Sequence, residues 1–299
     1  MDVRIDDGLH IRALDGFELA ATLYEPVAEP VAEPAAGTDR RTAVLINSAT
    51  AVKRRYYDPF ARYLAGEGFT VLTYDYRGIG GSRPRSLVRF QARLRQWAEE
   101  DQGGVLDWIT GSLSTTKLLV VGHSVGGQIV GLAPGNERIA GLLGVAAQNG
   151  YWGHWPSPSR YGMALRWYLG VPLASRLFGY VPGWLGTKED LPAGVAREWA
   201  AWCRRPGFLF EGHAERRHGF ERFAKPFLAY SFADDDYAPR AAVESLLDAY
   251  REARVDHRHV TPREVGAPAI GHFGFFRERF RETLWRESAA WLTAQAAAA

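Results

Sequence analysis

The chain is 299 residues long, 46% hydrophobic and 23% charged, with a formal net charge of +2. That is an ordinary globular balance, sized for one large domain or a domain with an insertion, and the net charge implies neither nucleic acid nor an anionic membrane as a partner. The single cysteine, Cys203, excludes an internal disulfide and a thiolate-rich structural zinc site. The acidic N-terminus lacks the apolar segment of a signal peptide, and no stretch of about 18 apolar residues is present to cross a bilayer, so a cytoplasmic protein is expected.

In chain order, "IRALDGFELAATLYEP" holds two alternating apolar runs joined at Asp15-Gly16, a hairpin signal. "EPVAEPVAEPAAG" follows, a proline, alanine and glutamate repeat that fits neither a helix nor a ladder and reads as an extended loop. "AVLIN" from Ala43 is a short, continuously apolar strand, covered on both faces. "DPFARYLAGEGF" spaces Phe60, Tyr63 and Leu64 for a helix, "TVLTYDY" is a second buried strand, and "LVRFQARLRQWAEEDQGGVLDWIT" reads as largely helical. The arginines Arg83, Arg85, Arg89, Arg93 and Arg95 fall on the wet side of that pattern. "KLLVVG" is a third strand, "GQIVGLAPG" begins a helix and "IAGLLGVAAQ" is another buried run. Strands alternating with helices predict a mainly parallel sheet covered on both faces.

The alternation fails between Tyr151 and Arg222, a stretch with six of the ten tryptophans and several proline and glycine breaks. It reads as a small helical insertion. "REWAAWCRRPG" within it is helical, which favours a packed thiol at Cys203 over a reactive one. "PFLAYSF" resumes the strands, "DHRHVTPREVG" supplies a last one, and "FFRERFRETLWRESAAWLTAQ" closes the chain as a long amphipathic helix.

The chemistry centres on "KLLVVGHSVGGQIVG". A serine hydroxyl is a weak nucleophile at neutral pH and needs a base, an orienting group for that base, and an exposed position. A sharp turn from strand to helix gives the exposure, provided the residues two before and two after the serine are small. Gly122, Ser124 and Gly126 stand in that pattern at the end of an apolar run. The glycines do not follow G-x-G-x-x-G, so the stretch is not a dinucleotide fingerprint.

With "VLTYDYRGIGGS", which is similar to a D-x-R-G-x-G-x-S loop through Asp75, Arg77, Gly78, Gly80 and Ser82, the chain resembles the α/β-hydrolase superfamily over nearly its whole length. Within it the pattern is most similar to the bacterial lysophospholipase-like and serine-aminopeptidase-like (S33) branch. The resemblance implies an α/β-hydrolase fold with a mostly parallel sheet between helices. Residues 1–150 and 223–299 would form its core, and 151–222 a helical lid. It implies Ser124 as nucleophile, then an acid, then a histidine, in chain order. Asp75 precedes Ser124 and is given an architectural role, as a charged pair with Arg77 buttressing the sheet edge. His272, in "IGHFGFF" before the last helix, stands where the superfamily carries its histidine. The other seven, His10, His123, His154, His213, His218, His257 and His259, read as satisfied or exposed. In "AYSFADDDYAP", the D-x-x-x-P spacing to Pro239 selects Asp235, leaving Asp234 and Asp236 as turn formers. Three adjacent carboxylates point in different directions and argue against a metal site.

The resemblance further implies an oxyanion hole from the backbone amides of Val125 and Ala49, although the family's His-Gly is replaced here by Asn47-Ser48. His123, Trp152, Trp155 and Trp167 are expected near substrate. The lid aromatics, with Tyr161 and Tyr168, either line an apolar pocket or only pack the lid onto the sheet. The expected activity is hydrolysis of an apolar or aromatic ester or thioester through an acyl-enzyme, without a cofactor. An acyltransferase or thioesterase acting on carrier-bound chains, an S33-like peptidase, and a non-catalytic binding protein are the alternatives.

Overall fold

The computed structural model describes residues 2–27 and 42–298. The proline, alanine and glutamate repeat lies outside the described residues from position 28 on, and its first residues, Glu25 and Pro26, close a strand instead of opening a loop.

Strands β1 (Val3–Arg12) and β2 (Glu18–Pro26) form the expected hairpin, turned where the Asp15 carboxylate accepts the amide of Phe17 at 3.2 Å. Strand β3 (Thr42–Asn47) is buried along its whole length and leads through α1 (Asp58–Gly66) to β4 (Thr70–Tyr74). Helix α2 (Gly103–Ser112) precedes β5 (Lys117–His123), which runs into the short α3 (Val125–Gln128) and on to β6 (Ile139–Val145). The inserted segment carries α4 (Ser159–Leu165), α5 (Val171–Phe178), a two-residue pair β7 (Tyr180–Val181) and β8 (Leu191–Pro192), and α6 (Ala193–Cys203). The core resumes with β9 (Pro226–Phe232), α7 (Arg240–Leu247), β10 (Arg254–Val260), α8 (Gly271–Gly274) and α9 (Arg286–Ala297).

Eight strands make one sheet in the order β1-β2-β4-β3-β5-β6-β9-β10. Within this sheet only the β1–β2 and β2–β4 pairs are antiparallel; its other pairs are parallel. This is the α/β-hydrolase architecture. Alternation along β5 sends Leu118 and Val120 into the core on one face and Leu119 and Val121 into the core on the other. Such double burial explains the continuously apolar strand sequences.

The sequence expectation fails in four places. The closing helix is α-helical only from Arg286, after a 3-10 turn at Glu278–Phe280 and a π turn at Arg281–Trp285. The predicted helix from Leu87 starts only at Leu94–Gln96, because Arg89 sits at φ +65°, outside helical space. The arginine cluster therefore lies partly on a loop. The helix expected after Ser124 is a single turn followed by the 3-10 turn Val130–Leu132. Asp75 and Arg77 do not pair with each other. Asp75 meets Arg54 at 2.5 Å, while Arg77 meets Asp15 and Asp101, each at 2.6 Å. Asp75 with Arg54, and Arg77 with Asp15 and Asp101, thus pin the loop after β4 through separate partners, because β4 ends at Tyr74 and Arg77 already lies in the turn that follows.

Candidate active site

The turn after β5 is built around one strained residue. Ser124 has φ +52° and ψ −118°, a conformation that costs a non-glycine residue about 1–3 kcal/mol and persists only when its surroundings impose it. Its amide donates to the carbonyl of Val145 at 2.9 Å, and its own carbonyl accepts the amides of Gly127 at 2.9 Å and Gln128 at 3.1 Å. The flanking glycines follow from close approach. A Cβ on Gly126 would lie 2.4 Å from the carbonyl oxygen of Asn47, and one on Gly122 2.6 Å from Cα of Gly127. Glycine at 126 therefore lets strand β3 nest against the turn, and glycine at 122 lets the turn fold back on itself. Being first-turn residues, Val125 and Gly126 have amides with no intrahelical acceptor.

Asp235 lies three residues beyond the end of β9. Its Oδ1 accepts the amides of Tyr237 at 2.8 Å and Ala238 at 3.0 Å, which fixes the carboxylate. Its Oδ2 faces Nδ1 of His272 at 2.8 Å, with both side chains buried. A carboxylate accepts, so Nδ1 carries the proton and Nε2 is left with a free lone pair. Asp234 does more than form a turn: its carboxylate accepts the amides of Ile270 at 2.8 Å and Gly271 at 3.1 Å, tying the β9 loop to the residues just before His272. Asp236 has an exposed side chain and offers its carbonyl to the indole N–H of Trp155 at 2.8 Å. Among the described residues, no group of three His, Cys, Asp or Glu side chains is placed to hold a metal ion.

His123 is not in contact with the cavity, as had been expected of it, but fully buried behind it. Its Nε2 lies 2.9 Å from the carbonyl oxygen of His272, so Nε2 carries the hydrogen, and Nδ1 accepts the Tyr57 hydroxyl at 2.8 Å. Burial, followed by the charge of His272, holds its pKa well below the ordinary 6.5. Tyr57 in turn accepts the amide of Ala49 at 2.8 Å. The Ala49 amide is thereby committed, which removes it as an oxyanion donor. Its neighbour Thr50 faces the cavity with a buried hydroxyl that has no partner. Asn47, in place of the family's histidine, donates from Nδ2 to the Gly126 carbonyl at 3.2 Å.

Ser124 and His272 line one cavity of about 260 Å³, together with Thr50, Tyr237 and Phe273. Trp155 and Trp167 line it as well, whereas Trp152 packs beside Tyr151 and does not. Trp199, Arg166 and Lys188 also line it and were not singled out from sequence. Lys188 sits 4.5 Å above the ring of Phe273 and 5.2 Å from that of Tyr56, a placement no local pattern announces. Arg166, Trp167, Thr187 and Trp199 also border a second, apolar cleft of about 310 Å³ within the inserted segment. Cys203 is fully buried, and burial pushes its thiol well above the usual range, so it is inert.

The sequence profile of the alpha/beta hydrolase family matches residues 43–283. No curated protein matches the chain. Among solved structures, Est1E from Butyrivibrio proteoclasticus with bound ferulic acid is similar at a TM-score of 0.62 and 17% identity, over 97% of this chain and 100% of that one. Hypothetical protein PA2218 from Pseudomonas aeruginosa is similar at a TM-score of 0.63 and 16% identity, over 98% and 94%. An esterase from Thermogutta terrifontis is similar at a TM-score of 0.60 and 16% identity, over 96% and 98%. At such identities the likeness speaks for the fold. Taken with a family profile that covers most of the length, it leads to one conclusion: this chain belongs to the alpha/beta hydrolase family.

Proposed function

We propose that the protein is a serine hydrolase of carboxylic esters with an apolar acyl or aromatic group, acting through Ser124, His272 and Asp235. The observation that carries this reading is a strained Ser124 lining the same cavity as His272, whose Nδ1 is held by Asp235 at 2.8 Å. On this reading Nε2 of His272 takes the Ser124 proton as Oγ attacks the ester carbonyl. The tetrahedral oxyanion is held by the Val125 amide, with Thr50 as second donor. His272 then protonates the leaving alcohol, and water releases the acid from the acyl-enzyme by the same route. Asp235 keeps the imidazole in the reactive tautomer and stabilises it once charged.

The inserted segment acts as a lid whose apolar cleft receives the acyl group. An ester is favoured over a peptide N-terminus by charge. The cavity wall has two cationic side chains, Arg166 and Lys188, and no acidic one to meet an ammonium group. The test is a series of p-nitrophenyl esters of increasing acyl length, with Ser124→Ala as control. Each added methylene buried in the cleft is worth about 0.8 kcal/mol, so kcat/KM should rise about threefold to fourfold per carbon until the cleft is full. A flat profile contradicts the acyl assignment, and unchanged turnover by Ser124→Ala contradicts the nucleophile.

A further inference from the structure

The inserted helical run from α4 through Arg166–Gly170 to α5 carries apolar side chains toward the core and toward the outside. Its inner face buries Trp167, Val171 and Ala174. On its outer face Tyr161, Leu165, Leu169, Leu173 and Leu177 recur every fourth residue, and all five are between 48% and 67% exposed. Trp184, just beyond, is 74% exposed. Nine of the fourteen large apolar side chains exposed among the described residues fall between Tyr161 and Leu185. A contiguous exposed apolar patch of this kind marks an interaction surface.

Charge identifies the partner. The net charge of the whole chain hides a local excess: from Tyr151 to Lys188 there is no aspartate or glutamate. Of the four cationic side chains there, Arg166 and Lys188 line the Ser124 cavity, which leaves Arg160 and Arg176 outside it beside the stripe. A second copy docked across this face by two-fold symmetry would set that positive segment against itself. An apolar stripe with arginines beside it and an exposed tryptophan has instead the composition of a helix that lies in the plane of a lipid interface. We propose that this face of the inserted segment docks onto a lipid layer bearing anionic headgroups. The leucines enter the acyl region, and the arginines meet the phosphates. No described helix is long and apolar enough to cross a membrane, and docking in the interface needs none.

The position of the stripe gives the docking a use, which rests on the ester-hydrolase reading above. Leu165 and Leu185 are exposed outside and also border the apolar cleft that adjoins the Ser124 cavity. An acyl chain leaving the lipid layer would meet this cleft first. The substrate class is then an amphiphilic ester taken from the layer rather than a freely dissolved one.

Flotation with vesicles tests the docking without any turnover, so its outcome is separate from that of the Ser124 assignment. The whole chain is mixed with phosphatidylcholine vesicles, or with vesicles also containing phosphatidylglycerol. Binding to the anionic vesicles is expected to be about tenfold tighter, and to weaken as salt is raised. Leu169→Glu and Leu177→Glu, both exposed and so compatible with folding, should each weaken it about tenfold. Arg160→Gln combined with Arg176→Gln should abolish the preference for anionic vesicles. Circular dichroism melts verify that each variant is folded. Failure of the wild type to float with either vesicle, or flotation of Leu169→Glu and Leu177→Glu equal to wild type, overturns the proposal. A wild-type dimer in light scattering that Leu177→Glu converts to monomer also overturns it, because a second copy then covers the stripe.

Discussion

His123 holds the backbone of His272: its Nε2 lies 2.9 Å from the His272 carbonyl oxygen, and its Nδ1 accepts the Tyr57 hydroxyl that also receives the Ala49 amide. One buried imidazole thus links the end of β5, the loop after β3 and the segment carrying the proposed base. His123→Phe keeps a ring of similar size but deletes both hydrogen bonds. Leaving a buried hydroxyl and a carbonyl without partners should cost about 1–3 kcal/mol each, read from denaturant unfolding. Displacement of His272 by a fraction of an ångström to about 1 Å should lower kcat by about 10–100-fold. Steady-state kinetics of the folded variant separate the two effects, and unchanged kcat would remove His123 from the positioning role.

The same residue gives a pH dependence with a definite sign. His123 stays neutral in the fold because its pKa is held well below 6.5, whereas in the unfolded chain it titrates near 6.5. Below that pH the unfolded state binds a proton that the folded state does not. The contribution of His123 is therefore fully present above the unfolded pKa and is lost as pH falls toward the folded one, by at most about 1.4 kcal/mol per pH unit. Burial shifts His154, His257 and His259 in the same direction, with less weight because they are partly exposed. Unfolding free energy measured from pH 7 to pH 5 should fall, and fall less steeply in His123→Phe. Equal slopes in the two proteins would contradict this.

The two neighbouring carboxylates should separate cleanly. Asp235→Asn retains shape but can present an amide hydrogen to Nδ1 of His272, favouring the wrong tautomer, and kcat should drop on the order of 10⁴-fold. Asp234→Asn weakens only charge-assisted bonds to the Ile270 and Gly271 amides. It should cost about 1–2 kcal/mol of stability and less than about tenfold in kcat. Comparable losses of kcat in both variants would refute the assignment of Asp235.

Ser124 is strained, so replacing it with glycine should relax the turn. Ser124→Gly accommodates φ +52° without penalty. It should be inactive yet more stable by about 1 kcal/mol, measured by urea unfolding. A less stable glycine variant would mean that the turn is not strained.

Much of this architecture is legible in the residues themselves. The strands β3, β4, β5, β6 and β9 are continuous apolar runs because neighbours cover them on both faces. Gly126 encodes a close approach to Asn47, and Gly122 one to Gly127, that only glycine permits. Asp235 and His272 meet because the ends of β9 and β10 lie side by side in the sheet, and the D-x-x-x-P spacing together with the family resemblance points to both. What local patterns cannot carry is contact at long range. Nothing near Ala49 announces that the Tyr57 hydroxyl takes its amide, and nothing near His123 announces the His272 carbonyl. The arginine-rich stretch has helical spacing, yet the backbone turns at Arg89 to bring Leu94 into the core. Lys188 reaches Phe273 only through the folding of the inserted segment over the site.

The central claim is that Ser124 is an activated nucleophile, and a fluorophosphonate probe addresses it directly. Intact-mass and peptide mass spectrometry of the labelled wild type should show one adduct, on Ser124. Ser124→Ala should carry none, and His272→Ala should label far more slowly. A wild type that stays unlabelled, or a Ser124→Ala protein that labels as readily, would contradict it.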